Sequence, residues 1–156
     1  MSKRHRWLSF DNKRKHIFKC WIRDPDVGPR DGKWKYCILL GVDGDRDTLY
    51  FVSINSRVHE AHYKREKTGE HNLLRDVLNA QVVLRSDDYP FLPRDSSADC
   101  ACLVRKKKSE LRQELEIAPQ AEIDGRLSDH DCTRIINNLY RYADLTNRER
   151  RIISGL

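Results

Sequence analysis

The amino-acid sequence predicts one α+β domain, in which a small β-sheet comes first and helices close the chain. Two apolar runs, Tyr36–Val42 and Thr48–Ile54, flank Asp43-Gly44-Asp45, and an Asp-Gly pair is typical of a hairpin turn. Near the other end, apolar residues repeat at helical spacing, and these are Cys132, Ile135, Ile136, Leu139, Tyr140 and Ala143. A length of 156 residues suits one hydrophobic core rather than two domains.

A first strand is predicted upstream of the hairpin, and polar segments lie on both sides of it. His16–Arg23 contains the β-branched and aromatic residues that favour strands. Asp24–Lys35 contains Asp-Pro and Gly-Pro dipeptides, which predict a loop. Asn55–Asp76 is polar and longer than an ordinary connection, so it is either a functional loop or an irregular insertion.

The second half of the chain is predicted to complete the sheet. Gln81–Leu84 and Ser97–Val104 are expected to be strands. The basic run Arg105–Lys108 follows, and a short charged helix is expected from there to about Leu115. Ile123–Leu127 is predicted as a final edge strand.

Two helices are predicted at the end of the chain from their capping residues. Ser128 is a candidate N-cap for the helix that carries the apolar repeat. Thr146-Asn147-Arg148-Glu149 has the form of a capping box, and the helix that it begins would bury Ile152 and Ile153. We interpret the apolar repeat as core packing; the alternative is a groove that binds a partner.

Positive charge is concentrated at the start of the chain. The first 37 residues carry 11 Lys or Arg and 4 Asp, whereas the whole chain has a net charge of +6. We divide the chain into a basic arm over 1–15 and a single domain over 16–156. The arm suggests contact with phosphates or with an acidic partner; the alternative is a solvated, partly disordered segment.

The sequence favours a cytoplasmic protein without a membrane anchor. No apolar run approaches the roughly 20 residues of a membrane span, and the N-terminus lacks the apolar core of a signal peptide. The cysteines are odd in number and form no Cys-x-x-Cys pair, which argues against a disulfide framework; they are Cys20, Cys37, Cys100, Cys102 and Cys132. We expect buried free thiols and no metal site, with Cys100 and Cys102 on the same face of one strand.

A turn in the middle of the chain carries a family resemblance. Tyr89-Pro90-Phe91-Leu92-Pro93 leads through Arg94 into Asp95-Ser96 and a strand of small residues. This order resembles the MazF/PemK toxin family, whose members are SH3-like barrels that cleave RNA and are silenced by an antitoxin. The resemblance covers roughly His16 to Tyr142 and implies a small SH3-like β-barrel of five to six strands with C-terminal helices packed on it.

The resemblance also implies a function and a set of partners. The expected activity is a metal-independent, toxin-like endoribonuclease that acts on single-stranded RNA and needs no cofactor. The expected partners are a cognate antitoxin and a second copy of the chain in a homodimer.

Two positions carry the resemblance with altered residues. Lys35-Tyr36 stands where the family typically has Arg-Pro, and Ile54-Asn55-Ser56 stands where Ile-Thr-Ser is typical. Lys35 keeps the positive charge but lacks the bidentate geometry of arginine. The Gly-Asp that usually opens the first strand is absent, since His16 begins it directly.

RNA cleavage without a metal requires a base, an acid and a cation that stabilises the phosphorane. We predict that the catalytic residues are Lys35, Asn55, Ser56, Arg57 and His59. Single-stranded RNA also needs aromatic stacking surfaces beside positive charge. We predict that the RNA-binding residues are Trp21, Arg23, Lys33, Trp34, Arg94, Asp95, Ser96, Arg105 and Lys106.

Each candidate has a structural alternative. A lysine at a strand edge often only keeps the edge soluble, Trp34 could be a core anchor, and Asp95-Ser96 could serve the turn alone. The competing function is a non-catalytic SH3-like module that binds nucleic acid or an acidic partner protein. A third reading is a regulatory protein whose terminal helices form its interface.

Overall fold

The computed structural model describes residues 10–23, 32–55 and 78–155, and it confirms the α+β class. Within these residues, seven strands form one antiparallel sheet, more than the five to six predicted. The strands are β1 His16–Arg23, β2 Gly32–Asp43, β3 Thr48–Asn55, β4 Gln81–Leu84, β5 Ser96–Asp99, β6 Val104–Lys107 and β7 Glu122–Arg126. The helices in the same residues are α1 Lys108–Ile117, α2 Asp129–Tyr142 and α3 Asn147–Ser154. None of the described helices is both long and apolar enough to cross a membrane.

The β2–β3 hairpin forms the centre of the sheet, as the sequence predicts. The two strands pair from Asp43 opposite Thr48 to Cys37 opposite Ser53. The turn between them is a short 3-10 helix that ends at Asp47 in the left-handed conformation (φ 52°). β2 also begins earlier than expected, at Gly32, because its first residues pair with β1.

The strand order is β4-β5-β3-β2-β1-β7, and β6 pairs with β3 as well. β3 therefore has two partners along one edge. Its first half pairs with β6, from Thr48 opposite Lys107 to Phe51 opposite Val104. Its end pairs with β5, where Asn55 lies opposite Ser97.

The prediction of one strand over Ser97–Val104 is wrong, because the chain turns between β5 and β6. The Asp99 carboxylate accepts a hydrogen bond from the backbone N–H of Ala101 at 3.1 Å, which favours a turn over a continued strand. Cys100 is consequently buried and Cys102 exposed, so the two thiols do not share a strand face.

The sheet carries a separate hydrophobic core on each face. Side chains alternate along a strand, so Ile38 and Leu40 of β2 pack towards α2 and α3, whereas Cys37 and Leu39 pack towards α1. Within the first core, α2 contributes Cys132, Ile135 and Leu139. The apolar repeat of α2 is therefore core packing.

The helix caps and the Asp88–Cys100 turn hold the terminal helices on the sheet. Ser128 accepts a hydrogen bond from the Asp131 backbone N–H, and the capping box of α3 is formed between Thr146 and Glu149. The Tyr89 hydroxyl donates to Asp131 Oδ2 at 2.5 Å. Since Tyr89 is buried, this contact fixes the start of α2 against the turn.

Candidate functional site

The structure brings two of the predicted catalytic residues together at one end of the sheet. β2 and β3 pair as far as Cys37 opposite Ser53, and two residues further along Lys35 faces Asn55. The Lys35 ammonium donates to Asn55 Oδ1 at 3.0 Å, and both side chains are half-buried. The amide oxygen therefore helps to hold the cation at the end of the strand pair.

A chain of polar side chains continues from Asn55 across the next two strands. Asn55 lies opposite Ser97 on β5, which in turn lies opposite Val83 on β4. Ser97 Oγ donates to Gln81 Oε1 at 3.1 Å, and Gln81 Nε2 donates to Asp99 Oδ1 at 2.9 Å. We call Lys35, Asn55, Ser97, Gln81 and Asp99 the Lys35 cluster.

Three residues of this cluster were not predicted as site residues, and these are Ser97, Gln81 and Asp99. Ser97 is buried although it is polar, and its partner Gln81 lies sixteen residues away in the chain. Only the pairing of β4 with β5 and of β5 with β3 brings them beside Asn55. A short sequence motif therefore could not have predicted this cluster.

Cys102 lies next to this cluster without being activated by it. The pKa of its thiol is raised, first by desolvation and then by the Asp99 carboxylate; the positive charges of Lys35 and Arg105 act in the opposite direction. A thiol with a raised pKa is protonated at neutral pH, and the thiolate is the nucleophilic form. Cys102 is therefore poorly suited to nucleophilic catalysis.

The Asp95-Ser96 pair shapes the turn that precedes β5. Asp95 Oδ1 accepts hydrogen bonds from the backbone N–H of Ser86 at 2.9 Å and from its hydroxyl at 3.2 Å. These two bonds lower the pKa of the Asp95 carboxyl. Ser96 is buried and donates to the Arg94 carbonyl at 3.0 Å, whereas the Arg94 side chain is exposed.

Trp21 and Trp34 form an exposed pair on the other face of the sheet. They lie opposite each other on β1 and β2, with ring centroids 5.5 Å apart and an interplanar angle of 71°. Trp21 is 37% exposed and Trp34 is 43% exposed. Neither ring belongs to a buried core cluster, so Trp34 is not the core anchor considered as its alternative.

Two further predicted RNA-binding residues, Arg105 and Lys106, lie in ion pairs within the domain. Arg105 bonds both carboxylate oxygens of Glu149, at 2.5 and 2.8 Å. Lys106 is 7% exposed, and its ammonium donates to Glu114 Oε1 at 2.6 Å and to the Trp21 carbonyl at 3.2 Å. Their charges are thus engaged with carboxylates of the same chain.

The remaining predicted residues divide between described and undescribed parts of the chain. Lys33 is exposed on β2, on the same face as Lys35 because the two are separated by one residue. Ser56, Arg57, His59 and the side chain of Arg23 lie outside the described residues. Across the residues that are described, no three His, Cys, Asp or Glu side chains converge to hold a metal ion.

Four of the candidates, Lys35, Asn55, Trp21 and Trp34, therefore occupy two faces of one sheet end rather than a single pocket. Lys35 points towards the face that carries α1, together with Asn55, whereas Trp34 and Trp21 point towards the face that carries α2 and α3. No family model and no curated protein matches this chain. The functional reading consequently rests on this geometry and on the resemblance of the Asp88–Cys100 turn.

Proposed function

We propose that this protein is a toxin-like endoribonuclease that cleaves single-stranded RNA at the Lys35 cluster. The contact between Lys35 and Asn55 carries the proposal, because these are the two positions that carry the resemblance with altered residues, and their side chains meet in space at 3.0 Å. A cation held by a hydrogen bond at a half-buried position is suited to stabilise the charge that develops on a phosphorane.

The reaction assigns the 2′-hydroxyl as nucleophile and the 5′-oxygen as leaving group. Lys35 would stabilise the non-bridging phosphate oxygens, and Asn55 would hold its ammonium in position. Ser56, Arg57 and His59 follow Asn55 directly in the chain. Histidine side chains can act as acid or base near neutral pH, and His59 would supply that chemistry.

An SH3-like barrel is part of the proposal, and one contact in the sheet supports it. Lys106 on β6 reaches the Trp21 carbonyl on β1, although β3 and β2 lie between these strands in the sheet. The sheet must curve round the core that contains Phe18 and Phe51 for these two strands to approach. α1 connects β6 towards β7 and packs Leu111 into the same core.

The resemblance to the MazF/PemK family implies the protein partners. We propose a cytoplasmic toxin that forms a homodimer and is neutralised by a cognate antitoxin.

Induced expression in a bacterial host, followed by mapping of RNA 5′ ends, tests the activity. We expect growth arrest with new 5′-hydroxyl ends at a shared short sequence. Lys35→Ala should reduce cleavage about 100- to 1000-fold, as removal of one transition-state donor does in other enzymes. Lys107→Ala is the matched control, since it removes an exposed lysine from another strand of the same sheet.

Normal growth with intact RNA from a folded protein would overturn the proposed activity. Full growth arrest by Lys35→Ala would overturn the assignment of Lys35 while leaving the activity in place.

The Trp21–Trp34 pair favours the second candidate, a binding module without catalysis. In that case loss of the basic arm, rather than of Lys35, would abolish RNA binding. The deletion should stop at residue 9, because Phe10 is 1% exposed and Arg14 donates to the Leu40 carbonyl at 2.7 Å. Truncating further would test folding instead of binding.

A further inference from the structure

Within the described residues, the β1–β2 hairpin extends beyond Asn55 of β3 and exposes an aromatic surface there. β3 ends at Asn55, opposite Lys35, whereas β2 continues back to Gly32 while paired with β1. Within the described residues, β2 therefore has a strand partner only on its β1 side between Gly32 and Trp34. This edge, which carries no other described strand, separates the Lys35 cluster on one face from the tryptophan pair on the other.

The aromatic surface extends along its face by two pairs of rings. Trp21 and Trp34 form its outer end, and Tyr36 follows two residues after Trp34 on the same side of β2. The Tyr36 ring lies 5.5 Å from that of Phe91, with an interplanar angle of 64°. We call these four residues the aromatic strip.

A cation lies within the strip. Lys19 is exposed, lies opposite Tyr36 in the register of β1 and β2, and holds its ammonium 5.8 Å from the centre of the Tyr36 ring. Neither β1 nor residues 32–42 of β2 contain a carboxylate. Positive charge beside exposed aromatic rings is the combination that binds single-stranded nucleic acid, because every base has a face that can stack.

We propose that one RNA strand contacts both faces of this hairpin, with a phosphate at the Lys35 cluster and neighbouring bases stacked on the aromatic strip. The RNA chain crosses this edge of β2 between the Lys35 cluster and the aromatic strip. The inference rests on the proposed function and adds where the unpaired bases beyond the cleaved bond are bound. A double helix has a persistence length of about 50 nm and cannot bend round a single β-strand.

Fluorescence quenching of the tryptophans tests the inference separately from cleavage. The protein has three tryptophans, and a Trp7→Phe background leaves only the pair on the strip. The probe is a 2′-O-methyl oligouridine of about 12 nucleotides, which cannot be cleaved because its 2′-oxygen is blocked. We expect saturable quenching by this single strand and little by a duplex of equal length.

Variants locate the binding surface. Trp34→Ala and Trp21→Ala should each weaken binding roughly 5- to 100-fold, the range for loss of one stacked base. Ile117→Ala is the control, since Ile117 is an exposed apolar residue (86%) at the end of α1. Lys19→Ala leaves the rings in place and should reduce the slope of log affinity against log salt by about 0.7.

Several outcomes would overturn the strip. They are equal quenching by the duplex, equal quenching by polyglutamate, unchanged affinity of the Lys19 and tryptophan variants, or a tryptophan variant that turns a dimer into a monomer without weakening RNA binding. If the parent protein cleaves RNA and these variants bind RNA unchanged, the proposed role of the aromatic strip is wrong and the proposed activity stands. If single-stranded RNA quenches the tryptophans but is not cleaved, the proposed endoribonuclease activity is wrong and RNA binding by the strip stands.

Discussion

Positively charged side chains lie at both ends of β2, but they are paired within the fold at one end and exposed at the other. At the Asp43 end, Arg148 donates to both Asp43 carboxylate oxygens, at 2.6 and 2.8 Å, and so ties α3 to the β2–β3 turn. At the Gly32 end, Lys33 and Trp34 are exposed.

The comparison separates charges that hold the fold from charges that can meet a ligand. Near the Asp43 end, the ion pair between Arg105 and Glu149 attaches α3 to β6. A buried carboxylate with a bidentate partner is structural, because removing either member leaves the other uncompensated. The exposed cations near Gly32 do not hold parts of the fold together in this way, which favours a role in ligand binding.

The largest effect on stability is expected from Glu149. Glu149→Ala removes the partner of Arg105 and one half of the capping box, and we expect the free energy of unfolding to fall by about 3 kcal/mol. Urea denaturation measures this change. Glu116→Ala, at an exposed position of α1, should change the free energy of unfolding by less than about 0.5 kcal/mol.

Lys35→Ala in the same denaturation experiment should cost about 1 kcal/mol, less than Glu149→Ala, because it removes a side-chain hydrogen bond at a half-buried position. A loss of stability in the Lys35 variant as large as that of the Glu149 variant would contradict the division of β2 into a structural end and a functional end.

The pH dependence of stability at acidic pH should come mainly from the carboxylates at the Asp43 end. Hydrogen bonds from Arg148 lower the pKa of Asp43 from its ordinary 3.8 to about 2. Since the unfolded chain takes up the proton first, this stabilisation is complete above pH 3.8 and is lost as the pH falls towards 2. The pKa of Glu149 is lowered in the same sense by Arg105.

Melting temperatures measured between about pH 5 and pH 2 should therefore fall steeply for the parent protein and less for Asp43→Asn. Parallel curves for the two proteins would show that the Asp43–Arg148 pair is not the acid-sensitive contact.

A smaller effect than that of Glu149→Ala is expected at Gly41, where α3 packs on β2. A Cβ at Gly41 would lie 2.8 Å from Ile152 Cγ2, so Gly41→Ala should cost about 1–2 kcal/mol through overpacking. Gly44→Ala is the matched control, because the nearest atom to its Cβ would be Lys108 Nζ at 4.0 Å. Thermal denaturation measures the stability of both variants. An equal loss of stability in the two would show that the contact between Gly41 and Ile152 is not the cause.

Short-range patterns in the sequence predicted much of the fold. The bounds of β1 and β4, the N-cap at Ser128 and the capping box at Thr146 are confirmed, because each depends on residues that are close in the chain. β6 was missed, because Val104–Lys107 contains three consecutive basic residues and looks like a solvated loop. It forms a strand because β3 offers a free edge and Glu114 pairs with the buried Lys106.

The sequence by itself determined the α+β class, the central hairpin and the residue types available for chemistry. Tertiary structure alone decided which of them meet. The strand register placed Lys35 against Asn55, the pairing of β5 with β3 added Ser97, and alternation along β2 sent Trp34 to the opposite face from Lys35. Contacts between distant strands depend on register and pairing order, and no pattern within a single strand carries that information.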